Sequence, residues 1–335
     1  MRGLLITPFA KGFGGVEVMN DYLQLALEDN GIQLDRLAAE DFRHLVNPLS
    51  LKIFGLPFAS ALGFKTILQH YDFIIGNGEY CFGITHPHTI ALFHGSYYGL
   101  AKSLVKTQNI KQKLMHWWLS TIQRIAARST FVLTVSDFNR KILLEQKIQV
   151  DAVIQNPVDP CFFRSQSIQA NGRCLFVGSY HYYAKGIDHL EHLAQHGIDI
   201  DCVTTQIPAP CLGYLGEVSR EELIHLYPCY DLLIHPSRFE SSGLVALEAM
   251  ASGIPVLIND TGIASDLKLI IPEFVIDFET ATLDQIFERI ELLRANRPHF
   301  AAMARDYVAK NHSWNHYCQQ WVQTIKEVVG DNPSV

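Results

Sequence analysis

Apolar residues along this chain occur in two patterns. Some form short unbroken runs; others recur every three or four positions across longer stretches. The unbroken runs predict strands buried on both faces, and the spaced stretches predict amphipathic helices. Their alternation is that of an α/β chain built on parallel sheets. In the first half the expected strands are GLLITPF (3–9), DFIIGN (72–77), TIALFHG (89–95), TFVLTVS (130–136) and AVIQN (152–156). Between the first two, EVMNDYLQLALEDNG (17–31) has helical spacing and ends on an Asn-Gly stop. A polar, proline-bearing stretch at 156–173 is the best linker candidate, and the pattern restarts after it. The second half predicts strands at CLFVG (174–178), DIDCVTT (199–205), LGYLG (212–216), DLLIHPS (231–237), PVLIND (255–260) and FVID (274–277).

Two α/β halves imply two sheets facing across a cleft, where ligands are expected. The expected division is residues 1–160, residues 161–311, and a closing helical segment at 312–335 with a return to the first domain as one packing option. A length of 335 residues agrees with two domains, and an apolar fraction of 48% with a folded chain. The net charge of −7 argues against a nucleic-acid partner. Seven scattered cysteines without a C-x-x-C pair indicate neither a zinc knuckle nor a disulfide framework, and fit a reducing compartment. The opening MRGLLITPFAKG has too short an apolar core for a signal peptide, and LKIFGLPFASALGFKTIL (51–68) is too interrupted to span a bilayer. A cytoplasmic protein is expected, with peripheral contact on the inner face of a membrane under one reading below.

The chemistry concentrates in PSRFESSGLVALEAMASGIPVL (236–257). It follows a predicted strand, so it lies at the carboxyl end of a parallel sheet, where ligands bind. Ser241 or Ser242 is the expected cap of the helix that ends at Gly253. Glu240 precedes that helix, and Glu248 lies about two turns further along. A phosphate at the helix terminus with hydroxyls on both sides would meet one carboxylate at each end, and a nucleotide sugar has that layout. The plainer alternative makes Glu240 a dipole partner and Glu248 an exposed helical residue, but Glu248 is flanked by apolar residues and a buried carboxylate needs a partner.

Two other patterns are set aside. The DID at 199–201 mimics a metal-binding Asp-x-Asp, yet it alternates within a predicted strand and is expected to meet solvent. His189, His192 and His196 share a helical face without a second ligand cluster, and no metal site is assigned. The segment 100–128 combines Lys102, Lys106, Lys111, Lys113, Arg124 and Arg128 with Trp117 and Trp118. Either it rests on an anionic membrane and presents a lipid-linked acceptor, or its tryptophans are core and its lysines merely solvated.

The segment 236–257 resembles the Glu-x7-Glu signature of the family 4 retaining glycosyltransferases, and further matches follow in the family's order. These are GGVEV (14–18), FHG (93–95), VSDFNRKIL (135–143), IQNPVDPCFF (154–163), FVGSYHYYAKG (176–186), LGYLGEVSREELIHLYPCYD (212–231) and HSW (312–314). The resemblance implies the GT-B fold, two Rossmann-like α/β domains. It also implies metal-independent, retaining transfer of a hexose from a UDP- or GDP-sugar to a glycan or lipid-linked acceptor hydroxyl in bacterial-type glycan synthesis. The nucleotide sugar is then a co-substrate, and no cofactor is expected.

By the same resemblance the catalytic residues are His94, Glu240 and Lys185. Glu240 would hold hydroxyls of the transferred sugar, with the N–H groups of Ser242 and Gly243; Glu248 would take the ribose. Lys185 would neutralise the pyrophosphate, Gly14 and Gly15 would let backbone approach the donor, and His94 would position the sugar. Ser179, Val218 and Ser241 complete the implied donor contacts. The sequence departs from the family at Ser179, where an arginine is usual, with His181 or Arg238 as possible substitutes, and at Ser241-Ser242, where Gly-Phe is usual. The lost cation leaves a non-catalytic nucleotide-sugar-binding subunit, and an epimerase or hydrolase, as alternatives.

Overall fold

The computed structural model describes residues 1–9, 14–46, 55–57, 68–128, 130–164, 170–179 and 181–330. The stretch 51–68 lies outside these, apart from 55–57 and 68, as does Tyr180 of the 176–186 loop. Two compact units divide the chain: Met1–Lys102, Gln108–Asn156 and Asn315–Val335 form the first, Ser103–Thr107 and Pro157–Trp314 the second. The boundary thus falls between Asn156 and Pro157, where the sequence reading put it at 160.

The first unit holds a parallel sheet of β1 (Arg2–Thr7), β2 (Gln33–Ala38), β3 (Phe73–Asn77), β4 (Thr89–Phe93), β5 (Phe131–Thr134) and β6 (Ala152–Val153) in the order β2-β1-β3-β4-β5-β6. Strands β3 and β4 are buried along their whole length, as their unbroken apolar sequences require. β2 was absent from the expected strands. Its sequence QLDRLA lacks apolar continuity because it is an edge strand, pairing with β1 alone, with Asp35 taken up by Arg2 Nε (2.9 Å) and Tyr71 Oη (3.0 Å). The helices are α1 (Gly15–Glu28), α2 (Tyr97–Ser103), α3 (Ile110–Ala126) and α4 (Asp137–Glu145), joined by the closing helix Trp314–Val329. α1 ends as predicted, with Gly31 in the left-handed region. α3 opens on a reciprocal cap between Asn109 and Gln112 (3.0 and 2.9 Å), a contact worth about 1 kcal/mol.

The second unit holds a parallel sheet of β7 (Cys174–Val177), β8 (Ile200–Val203), β9 (Gly213–Gly216), β10 (Leu232–His235) and β11 (Val256–Ile258), in the order β11-β10-β7-β8-β9. Its helices are α5 (Ile187–Gln195), α6 (Arg220–Leu226), α7 (Leu244–Ala251), α8 (Ala264–Ile270), α9 (Leu283–Ala295) and α10 (Arg297–Asn311). FVID is not a strand: Phe274 closes a 3-10 turn, and Val275 makes one bridge, to Ile258. The core runs through Leu175, Phe176, Leu232, Ile234, Leu247, Met250 and Leu257, each essentially inaccessible and each stabilising by about 2 kcal/mol before entropy is counted.

Strand order positions the site. From β7 the chain moves outward through β8 and β9, then returns to place β10 on the other side of β7. The loops leaving the carboxyl ends of β7 and β10 therefore diverge and open a crevice between them. In the first sheet the same reversal falls between β1 and β3.

Candidate functional site

The crevice between β7 and β10 brings together two of the charged residues that the sequence singled out, Lys185 and Glu240. Strand β7 leads into Gly178 and Ser179 and then, through a turn, to Lys185; strand β10 ends on His235 and leads into Glu240. Lys185 ion-pairs with Glu240 through Nζ and Oε1. Gly186 makes this approach possible: its φ is +69° and a Cβ there would press into the Pro236 carbonyl.

His235 was missed by the sequence reading. It is buried, its ring stacks on Phe176 at 5.7 Å, and its Nε2 lies 3.0 Å from both Glu240 Oε1 and Ser237 Oγ. With a carboxylate oxygen as neighbour, Nε2 carries the proton and donates. Its signal in the sequence was faint: a polar residue closing an apolar strand at the carboxyl edge. Burial alone would raise the pKa of Glu240, but the Lys185 ammonium and the His235 imidazole outweigh it and hold the carboxyl well below the usual range. Glu240 is therefore an anion with two partners, the buried His235 and the Lys185 ammonium.

The helix after it is capped by neither serine. Gly243 is the N-cap, in the left-handed region, and no side chain caps the terminus. Ser241 and Ser242 instead form the turn, with Ser242 buried. The N–H groups of Ser242 and Gly243 donate to no carbonyl among the described residues, which leaves two donors of a helix terminus directed by the turn.

Glu248 is not an exposed helical residue. It is 4% exposed on α7, with Arg220 Nη2 of α6 2.8 Å from its Oε1 and the Tyr227 hydroxyl donating at 3.4 Å. Arg220 lies over the Phe162 ring at 5.1 Å. Burial pushes the Glu248 carboxyl up to about 7, although Arg220 and Tyr227 pull against it. Arg220 and Tyr227 were quoted in the sequence as part of 212–231 without roles. Val218, in the same loop, is half-buried against the core.

Of the two candidate substitutes for an arginine at position 179, Arg238 is committed to other partners. Arg238 is 7% exposed, bonded twice to Asp188 (2.7 Å each), to Glu279 (2.6 Å) and to the Tyr183 carbonyl (2.6 Å), and stacked on the Tyr183 ring. His181 is exposed, and its backbone contacts are to Ser179 and Lys185. Ser179 is exposed in the same loop.

The set-aside patterns also resolve. Asp199 meets solvent as expected, whereas Asp201 is largely turned in: Arg173 grips both its oxygens (2.8 and 2.6 Å) and the Tyr230 hydroxyl donates to it at 2.9 Å. Within the histidine trio, His189 pairs with Glu279 while His192 and His196 pack on each other at 4.6 Å.

In the first unit, His94 follows β4, with its Nε2 buried and without a hydrogen-bond partner among the described residues; burial lowers its pKa to about 4. Gly14 is the N-cap of α1 with an extended φ of −176°, and a Cβ on Gly15 would meet nothing within 4 Å. Neither glycine is demanded by the local backbone or packing. On α3, Trp117 is 66% exposed, whereas Trp118 is half-buried with its Nε1 inside. No helix of the described chain is long and apolar enough to cross a membrane.

Residues 211–304 match the family model described as "Glycosyl transferases group 1". Sucrose-phosphate synthase from Thermosynechococcus elongatus superposes with a TM-score of 0.80 at 16% identity, over 99% of this chain and all of that one. Anabaena HepE in complex with UDP-glucose does so at 0.70 and 16% identity, over 98% of this chain and all of that one. A GDP-mannose-dependent alpha-mannosyltransferase of Mycolicibacterium smegmatis is 35% identical over 71 residues, 21% of this chain and 19% of its own length. The chain's matches to curated relatives span between 11% and 37% of those proteins' lengths. The two parallel-sheet α/β units thus have the GT-B fold seen in these glycosyltransferase structures, and residues 211–304 match the glycosyl transferases group 1 model.

Proposed function

We propose that this protein is a retaining, metal-independent hexosyltransferase that moves a sugar from a nucleoside diphosphate sugar to an acceptor hydroxyl. The observation that carries the reading is the convergence of Lys185, Glu240, His235 and the uncapped terminus of α7 on the crevice between β7 and β10. Glu240 accepts hydrogen bonds from hydroxyls of the donor sugar, oriented by His235. The N–H groups of Ser242 and Gly243 and the ammonium of Lys185 take the diphosphate, whose charge grows as the glycosidic bond breaks. Lys185 then exchanges Glu240 for phosphate, which needs only rotation of a flexible side chain. Glu248 accepts from the ribose. Because positive charge comes from a lysine and a helix terminus, chelators should leave the rate unchanged.

In the first unit, His94 positions the sugar, and Gly14 and Gly15 give the donor room. A UDP-sugar in one structural neighbour and GDP-mannose dependence in one relative support a diphosphate donor of either base. For the acceptor we propose a glycan or lipid-linked glycan presented at a membrane surface along α3, where apolar and basic residues are exposed together. A second reading, a nucleotide-sugar-binding subunit without turnover, draws on the commitment of Arg238 to Asp188 and Glu279 in a chain that has Ser179 at the usual arginine position.

One experiment separates the two. UDP- and GDP-sugars are titrated calorimetrically into wild type, Glu240→Ala and Ser179→Arg, and product is followed with glycan and lipid-linked acceptors. The transferase reading expects turnover in wild type and its loss in Glu240→Ala with nucleotide binding retained. Binding without turnover in wild type, restored by Ser179→Arg, selects the second reading.

A further inference from the structure

The loop carrying His94 is held by two glutamines from different helices. Gln123 of α3 is 3% exposed; its Oε1 accepts from the Tyr97 N–H (3.1 Å), and its Nε2 donates to Glu79 Oε2 (3.1 Å) and to the Gly95 carbonyl (3.5 Å). Gln146, just past α4, accepts from the Ser96 hydroxyl at 3.0 Å and donates to the carbonyl and hydroxyl of Ser120, back on α3 (2.6 and 2.8 Å). Glu79, in the turn after β3, accepts from the Tyr97 hydroxyl at 3.1 Å, so both the backbone and the ring of Tyr97 are fixed. His94, one residue before the first of these contacts, keeps its buried Nε2 without a partner among the described residues.

This network does more than the fold of the loop requires. A turn after a parallel strand is normally solvated and mobile. Here three consecutive residues are each hydrogen-bonded to a buried side-chain amide: the Gly95 carbonyl accepts from Gln123, the Ser96 hydroxyl donates to Gln146 and the Tyr97 N–H donates to Gln123. Such bracing is how a contact side chain is kept within the tolerance that orientation demands.

We infer that Gln123 is a positioning residue: with Glu79 and Gln146 it locks the backbone after His94, so that the imidazole meets the donor sugar in one orientation. The inference rests on the proposed role of His94. Gln123 touches no donor group in this account and acts through the loop. Its neutrality matters, because Glu79 is a half-buried carboxyl faced by Tyr80, Cys81 and Tyr97 and by no cation in its hydrogen-bond set; desolvation raises its pKa. Replacing the amide with a second carboxyl sets two acids against each other, and they cannot both ionise in place.

The test uses the full chain with Gln123→Leu and the isosteric Gln123→Glu. Kinetics are measured with the donor and acceptor that wild type turns over. In parallel, histidine-labelled protein is titrated by NMR, with the His94 signal assigned from His94→Asn. Gln123→Leu should lower kcat by about 10- to 100-fold with the donor KM within about twofold. Its His94 pKa should move from about 4 toward the ordinary 6.5 as water enters. Gln123→Glu should stay near wild type at low pH and lose kcat steeply as pH rises, a slope absent from wild type; this variant carries the test if the leucine form does not fold. Unchanged kcat, or a lowered kcat with an unmoved His94 titration, overturns the inference. Should wild type turn over no sugar, a shifted His94 titration still supports the bracing and an unmoved one rejects it, so failure of the activity is told apart from failure of the network.

Discussion

Glu248 is where charge and surroundings conflict most in the second unit. The sequence already required a partner for a carboxylate set between LVAL and AMA; the structure supplies Arg220 and Tyr227, both outside its own helix. Those partners were not legible, because nothing local to 244–251 indicates which face of α6 it packs on. With the folded pKa raised to about 7 from 4.5, the folded state holds the proton more tightly than the unfolded chain. The group therefore carries no penalty below pH 4.5, and stability falls as pH rises through 7, by up to on the order of 2 kcal/mol. Glu248→Gln removes that dependence. Urea unfolding at pH 5 and pH 8 should show the variant gaining on wild type by about that amount at the higher pH, with little difference at the lower. A difference that does not change with pH means that Glu248 stays ionised throughout, held by Arg220.

At the scale of elements, α3 presents two faces with different work. Its inner side carries Gln123, buried against the His94 loop. Its outer side exposes Ile110 (77%), Leu114 (61%) and Trp117 (66%), a row at helical spacing. Residues 97–130 contain six Lys and Arg and no Asp or Glu, in a chain of net charge −7. The sequence could not separate core from surface here because Trp117 and Trp118 are adjacent, about 100° apart on a helix, and point different ways. Sedimentation with vesicles should show binding that requires anionic lipid and weakens with salt. Lys111→Gln with Lys113→Gln should lower partitioning about 30-fold, from about 1 kcal/mol per charge. Equal binding to zwitterionic vesicles, or none to anionic ones, removes the membrane from the proposed acceptor side.

For the molecule as a whole, the apolar runs disclosed two sheets and ten of the eleven strands of the described residues; β2 escaped because an edge strand has no need of continuous apolar sequence. Strand order was not legible, since it depends on pairings such as Leu232 with Cys174 that no local pattern encodes. That order is what brings the loop after β7 beside the loop after β10, and it explains why Lys185 and Glu240 were found separately in sequence and as one ion pair in space. If the crevice between those strands is the donor site, nucleotide should protect these two segments together. Hydrogen exchange with saturating UDP or GDP should slow most across 178–187 and 236–248, and a ligand at about 100 times its Kd should stabilise the second unit by about 2.7 kcal/mol. Lys185→Ala should reduce the protection in both segments at once, because it removes the charge they share. Protection confined to one segment, or found instead around β1 and β3, would place the nucleotide at another strand-order reversal and make the Lys185–Glu240 pair a brace of the second sheet alone.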